Sequence, residues 1–319
     1  MPDMNAPLKL GINNWNQYSD WDSFLAAQRR ADRLGFDSIW TWDHLYPIVG
    51  SHEGPIFECY TAMAAVATTT ERATVGLMVG ANTFRNPALV AKMITTLDHI
   101  SGGRAVLGIG AAWFETEHEA FGLEFGGSPG ERLRWLGEAL PIMRGMLDGE
   151  RPTTSGPRYR TEAVLNLPPP VQEHLPILIG GSGRRVTLRL VAQYADACNI
   201  GGAAADLPEK DAALVGHCEA VGRDEKTIER TVGMGTPFIR DSRDEAYAVM
   251  ADVFADNGDA RTWTDMPVGT VEDVVEHCTP YLDQGYRHLI FGFPAPYDQE
   301  TMERLANEVR PQLEAHLAR

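Results

Sequence analysis

The chain has 319 residues, enough for one large α/β barrel or two ordinary domains. Its 44% hydrophobic and 23% charged residues are the profile of a packed globular chain and exclude a disordered one. A formal charge of -16, from 28 Lys and Arg against 44 Asp and Glu, repels phosphodiester backbones and argues against a nucleic-acid partner.

Short apolar runs alternate with longer helical patterns throughout, as in consecutive parallel βα units. Leu8–Asn13 is the first predicted strand, and Trp21–Leu34 an amphipathic helix stopped by Gly35. Asp37–Trp42 and Phe57–Thr70 form the second strand and helix. Thr74–Gly80 is the third strand, after which Asn86 and Pro87 open a helix. Arg104–Gly110 is the fourth strand and Glu131–Leu147 its helix. Glu150–Leu175, with the triple Pro168-Pro169-Pro170, reads as an irregular insertion in a continuing rhythm. Pro176–Ile179 and Arg184–Tyr194 give the fifth pair, and Asp196–Ile200 and Pro208–Val221 the sixth. Thr231–Ile239 is a seventh strand interrupted by Gly233, Gly235 and Pro237. Helices over Arg243–Phe254 and Val271–Gln284 flank an acidic, poorly patterned stretch. His288–Phe293 is the eighth strand, and Gln299–Leu317 the last helix. Eight strands in strict alternation predict a (β/α)8 TIM barrel over residues 1–319, with an inserted segment near 150–175. The competing architecture is a doubly wound open sheet.

No apolar run reaches membrane-spanning length, and Met1–Pro7 lacks the basic and apolar regions of a secretion signal. Cys59, Cys198, Cys218 and Cys278 form no C-x-x-C pair and read as packed thiols. These features predict a cytoplasmic protein without a membrane partner.

Barrel chemistry sits at the carboxyl ends of the strands, so candidate residues lie just past each one. Asn13 and Trp15 follow the first strand, and Trp42, Asp43 and His44 the second. Met78, Val79, Gly80 and Asn82 follow the third, and Gly110, Ala111, Trp113 and Glu115 the fourth. Four of the tryptophans (Trp15, Trp40, Trp42, Trp113) fall at or beside strand ends, where they would give flat walls suited to a planar ring or equally serve as rim packing. Trp40 and Trp42 share a strand face, either lumen or exterior. Gly180-Gly181-Ser182-Gly183-Arg184-Arg185 runs from a strand into a helix. Its amides, helix start and arginines suit a phosphate, although a plain tight turn has the same spacing. Gly108-Ile109-Gly110 lacks the rest of a dinucleotide fingerprint and reads as close backbone approach to a ligand. Asp43-His44 is the best acid/base candidate, with a structural histidine as the alternative. His118, within Glu115–Glu119, reads as part of a polar helix start. No H-E-x-x-H, H-x-H or G-x-S-x-G pattern occurs, so neither a metal hydrolase nor a serine esterase is indicated.

The ordered set Ser38–His44, Asn82–Pro87, Arg104–Gly110, Gly180–Gly183 and Val268-Gly269-Thr270 resembles the bacterial luciferase-like monooxygenase superfamily over nearly the whole chain. It is most similar to the branch that uses the deazaflavin coenzyme F420. The resemblance implies a (β/α)8 barrel, usually a homodimer, that holds no metal and is served by a separate cofactor-reducing enzyme. It implies that His44 with Asp43 sits beside the reactive ring and that Met78–Val79 is a non-prolyl cis peptide behind it. It further implies that Gly180, Gly181, Ser182, Gly183 and Arg184 bind the phosphate. Sugar-phosphate dehydrogenases of the superfamily carry a glutamate just after the fourth-strand glycines. Here Trp113 stands there and Glu115 slightly later, which argues against a sugar phosphate and for a small apolar or aromatic substrate walled by Trp15, Trp42 and Trp113. The implied reaction is hydride transfer with F420. The alternatives are an FMN-dependent two-component monooxygenase and a catalytically silent flavin-binding barrel.

Overall fold

The computed structural model describes residues 4, 6–259 and 266–319. Part of the Met1–Pro7 segment and of the acidic stretch before Val271 therefore lies outside the described residues. Eight parallel strands close on themselves: β1 Lys9–Asn14, β2 Ser38–Thr41, β3 Thr74–Leu77, β4 Ala105–Gly110, β5 Ile177–Gly180, β6 Ala197–Asn199, β7 Glu229–Gly233 and β8 His288–Phe293. Each pairs with its sequence neighbour, and β8 returns to β1 over the full register Lys9↔His288 to Asn14↔Phe293. The chain is thus a (β/α)8 barrel, and the open-sheet alternative is excluded by the β8–β1 pairing.

The helices begin where local chemistry satisfies their free amides. Asp20 accepts from Ser23 N, Asn86 from Ala88 N ahead of Pro87, and Ser128 from Glu131 N ahead of Pro129. Gly102 ends the third-strand helix in the left-handed region at φ 68. Their apolar faces close over the outside of the strands, while the lumen has its own filling. Trp40, Leu178, Ala197 and Ile290 form one buried cluster there. Trp40 faces the lumen because Gly76 opposite has no side chain: a Cβ there would lie 2.7 Å from the indole ring. Beneath it a polar chain crosses the barrel floor. Trp40 Nε1 donates to Ser38 Oγ at 2.7 Å, Ser38 Oγ meets His288 Nε2 at 2.7 Å, and His288 Nδ1 meets Glu229 Oε1 at 2.9 Å. Lys9 Nζ closes it on Glu229 at 3.0 Å.

The structure departs from the predicted elements in four places. β3 stops at Leu77. The chain then bulges through a cis Met78–Val79 peptide, and Gly80–Ala81 pairs separately with Ile109–Gly110. The predicted seventh strand splits at its glycines. Glu229–Gly233 stays in the barrel, and Phe238–Ile239 pairs outside it with Val268–Gly269. The helix expected from Arg184 starts at Thr187, with the arginines in the preceding turn. The last helix has a π-helical middle, Leu305–Val309. Within the 150–175 segment, Thr154–Ser155 and Arg160–Thr161 form a small hairpin.

Candidate active site

At the carboxyl rim lies a cavity of about 450 Å³, in the range of small-ligand sites. The ends of β2 to β6 supply its wall. Trp42, Asp43 and His44 come from beyond β2, and Met78, Val79, Gly80 and Ala81 from the bulge after β3. Gly110, Ala111 and Trp113 follow β4, and Gly180 and Gly181 close β5. Asn13 and Trp15 instead line an adjoining cavity. Asn82, Ser182, Gly183, Arg184 and Glu115, expected at the site, line neither cavity.

Each displacement has a local cause. Asn82 is buried, and its Nδ2 donates to Tyr159 of the inserted segment at 3.2 Å. Arg184 is exposed and ion-paired with Glu209, while its carbonyl accepts from His217 Nε2 at 2.8 Å. Beyond the arginines, Thr187 at the start of the helix lines the cavity, with Gly180 and Gly181 before them. Glu115 stands on the exposed side of the helix Glu115–Phe121, and the wall is reached from that helix by Glu117. The fourth-strand glycines also serve the bulge, while Gly110 still lines the cavity. A Cβ on Gly108 would lie 1.8 Å from Leu77 O, and one on Gly110 or Gly180 would lie 2.8 Å from Val79 Cγ2.

The Asp43-His44 pair also separates. Successive residues turn opposite ways, and Asp43 faces back into the protein. It accepts from Arg85 at 2.6 and 3.1 Å, from Ala81 N at 2.8 Å and from Cys59 Sγ at 2.8 Å. The guanidinium of Arg85 also reaches Glu58 at 2.7 Å, so it stands between the carboxylates that cluster with Cys59. Burial pushes the Cys59 thiol well up, with the Asp43 charge adding to it, so this sulfur stays a neutral donor.

His44 has a different partner. Its Nδ1 lies 2.9 Å from Glu117 Oε1, and Glu117 Oε2 accepts from Leu45 N at 2.8 Å and Tyr46 N at 3.4 Å. The Glu117 side chain is 1% exposed. A carboxylate only accepts, so the Nδ1 proton points at Glu117 and Nε2 is the nitrogen left for the cavity. Trp113, 62% exposed, stands over His44 with ring centroids 5.5 Å apart. Ala112 before it adopts φ 63, which swings the indole outward. The neighbouring His118 is structural. It bonds Thr83 Oγ1 and Phe114 O, each at 2.7 Å, and burial lowers its pKa.

Fold and site together define a closed parallel barrel whose carboxyl rim holds a small-molecule cavity with a carboxylate-oriented histidine at its wall. The chain belongs to the luciferase-like monooxygenase family, whose model matches residues 9–288. The F420-dependent glucose-6-phosphate dehydrogenase of Intrasporangium calvum is 29% identical, over 89% of this chain and 92% of that protein. Its counterpart in Microbacterium testaceum is 28% identical over 99% and 100%. Among solved structures, an F420-dependent secondary alcohol dehydrogenase in complex with an F420–acetone adduct superposes with a TM-score of 0.82, at 19% identity over 97% of this chain and 99% of that one. The coenzyme F420 dependent tetrahydromethanopterin reductase of Methanopyrus kandleri gives 0.80, at 18% identity over 97% and 100%. At these identities the two structures support the fold alone. No helix among the described residues is long and apolar enough to cross a membrane.

Proposed function

We propose that this chain is an F420-dependent oxidoreductase in which His44 moves the proton that accompanies hydride transfer. The observation that supports this reading is the Glu117–His44 contact at 2.9 Å, which occupies Nδ1 of a histidine that lines the cavity and leaves Nε2 for a substrate oxygen. The names of the curated relatives support the cofactor.

The residues present fit a flat ring. The main chain of Gly80, Ala81, Gly110, Ala111, Gly180 and Gly181 lines the cavity without bulky side chains, and the bulge at Met78–Val79 backs it. The Trp42 indole N–H is buried there without an acceptor, as expected where a ligand supplies one. Gly180, Gly181 and Thr187 would hold the phosphate, in place of the arginines expected from the sequence. When bound, the deazaflavin supplies the hydride acceptor or donor. In alcohol oxidation His44 Nε2 takes the hydroxyl proton while hydride leaves the carbinol carbon, and Glu117 stabilises the imidazolium. In the reverse direction the imidazolium returns that proton to the carbonyl oxygen. Trp113 and Trp42 wall the cavity in which this exchange takes place.

The substrate is a small neutral molecule. Among the described residues, no Lys or Arg lines either cavity. The relatives' names point instead to a phosphorylated sugar, so the assay compares both kinds. The reading extends to a homodimer that exchanges its cofactor with a separate reductase, as the family resemblance implies, and to the cytoplasmic setting expected from the sequence composition.

Titration of the purified protein with F420 and with FMN, followed by ring absorbance, tests the cofactor. F420 binding with turnover that His44→Ala abolishes, at unchanged affinity, is expected. FMN binding with oxygen uptake would assign a two-component monooxygenase instead, and F420 binding without turnover across a broad panel would assign a silent barrel.

A further inference from the structure

Met78 and Asn199 line both the main cavity and a side cavity of about 240 Å³, so the two spaces adjoin at these residues. The side cavity lies over β1, β7 and β8, on Asn13, Trp15, Thr236 and three glycines. A Cβ on Gly233 would meet nothing within 4 Å. One on Gly292 would lie 3.1 Å from Trp15 Nε1 and 3.4 Å from Thr236 Oγ1. Those distances put an indole N–H and a hydroxyl against the same face of Gly292.

Two amides complete the set. Asn13 Oδ1 is buried and accepts no hydrogen bond. Asn199 commits its Nδ2 to Thr231 Oγ1 at 2.9 Å, leaving its side-chain Oδ1 for a ligand. Every one of these groups is neutral. An acceptor withheld from water is costly unless a donor reaches it, and a phosphate monoester, which carries about -1.5 to -2 charge, is costly to bury against neutral groups alone.

We propose that the side cavity is the substrate subsite and that it takes a neutral ring compound bearing more than one hydroxyl. One hydroxyl of the substrate donates to Asn13 Oδ1, and a second accepts from Trp15 Nε1 or Thr236 Oγ1. The hydroxyl that reacts is the one that projects into the main cavity toward His44. This assignment refines the apolar substrate expected from the tryptophans: the Trp15 indole and Ile290 cover the carbon edges, and the amides select the hydroxyls. It rests on the F420 reading, which gives the main cavity to the cofactor.

The test uses F420-loaded wild-type protein, Asn13→Leu and Thr236→Val, with cyclohexane-1,2-diol, glucose and glucose 6-phosphate as probes. Fluorescence titration reads F420 affinity, and steady-state rates read the subsite. The expected result is a kcat/KM for the diol or glucose at least about tenfold above that for glucose 6-phosphate. Each substitution should raise KM for the neutral probe by about tenfold, with the F420 Kd within about threefold of wild type. Preference for glucose 6-phosphate, or no turnover of either neutral probe, would overturn the proposal. Weakened F420 binding with unchanged KM would also overturn it, by showing that the side cavity holds the cofactor ring. Wild-type protein that leaves F420 fluorescence unaltered would sink the cofactor reading instead. The subsite is then read from calorimetric titration with the diol, and absence of binding overturns it.

Discussion

Replacing Glu117 by Gln isolates the feature on which the proposed chemistry turns. The carboxylate uses one oxygen for His44 Nδ1 and the other for the Leu45 and Tyr46 amides. A glutamine has a single acceptor oxygen. Aimed at the two amides, it presents its NH₂ to His44, which must then accept at Nδ1 and carry its proton on Nε2. The cavity nitrogen is thereby converted from base to donor. Loss of a charge-assisted hydrogen bond is worth about 1.5–3 kcal/mol, or about 10- to 150-fold in rate. Loss of general base catalysis is worth about 10²–10⁴-fold. The expected fall in kcat is therefore about 10²–10³-fold, with F420 affinity and KM within about threefold. Initial rates followed by deazaflavin absorbance measure it, beside a fluorescence titration of F420. The double variant should lose no more than His44→Ala alone, because the pair acts as a unit. A Glu117→Gln enzyme within about threefold of wild-type kcat would refute the reasoning. So would a loss confined to KM.

Arg85→Ala strands the Asp43 carboxylate, whose side chain is 1% exposed. It should cost about 3–5 kcal/mol of unfolding free energy by denaturant titration. Gly108→Ala forces a Cβ against Leu77 O, and loss of soluble folded protein or a large drop in Tm is expected. Burial raises the Glu229 carboxyl, but the His288 hydrogen bond and the His288 and Lys9 charges outweigh it and hold the pKa to about 2. Its folded value thus lies below its unfolded one, so its stabilisation is complete above about pH 4.5 and is lost as pH falls toward 2. The gap in denaturation midpoint between wild type and Glu229→Gln should close over that window. Burial lowers His118 from 6.5. Protonation therefore favours the unfolded chain, and His118 destabilises the fold progressively below about pH 6.5. His118→Gln should flatten that part of the stability profile.

The alternation of apolar strands and helices was legible because each barrel unit repeats the same local pattern, and seven of the eight strands fall within a few residues of their expected places. The seventh ran long because period-two patterning continues past Gly233, and only the partner strand decides which part joins the barrel. The position of His44 at the rim followed from its place past β2. Its partner did not, because Glu117 lies 73 residues away and i,i+1 adjacency made Asp43 the obvious choice. The available signal was the helix opening directly after β4, whose third residue turns inward. The glycines of β4 carry a second constraint that their spacing did not show: Gly110 lines the cavity, and Gly108 and Gly110 also admit Leu77 and Val79. The arginines after β5 gave no sign that Glu209 would neutralise one of them.

Trp113 and Glu117 stand on one short segment, a wall of the cavity and the support of its proposed base joined within a single turn of chain. Any remodelling of that loop to admit a new molecule would disturb the imidazole at the same time. Asn13, Thr236 and Gly292 carry no such tie, since β1, β7 and β8 reach the pocket from its far side. Diversification of this scaffold should therefore concentrate on those three strand ends, where the menu can change while the proton machinery is left alone.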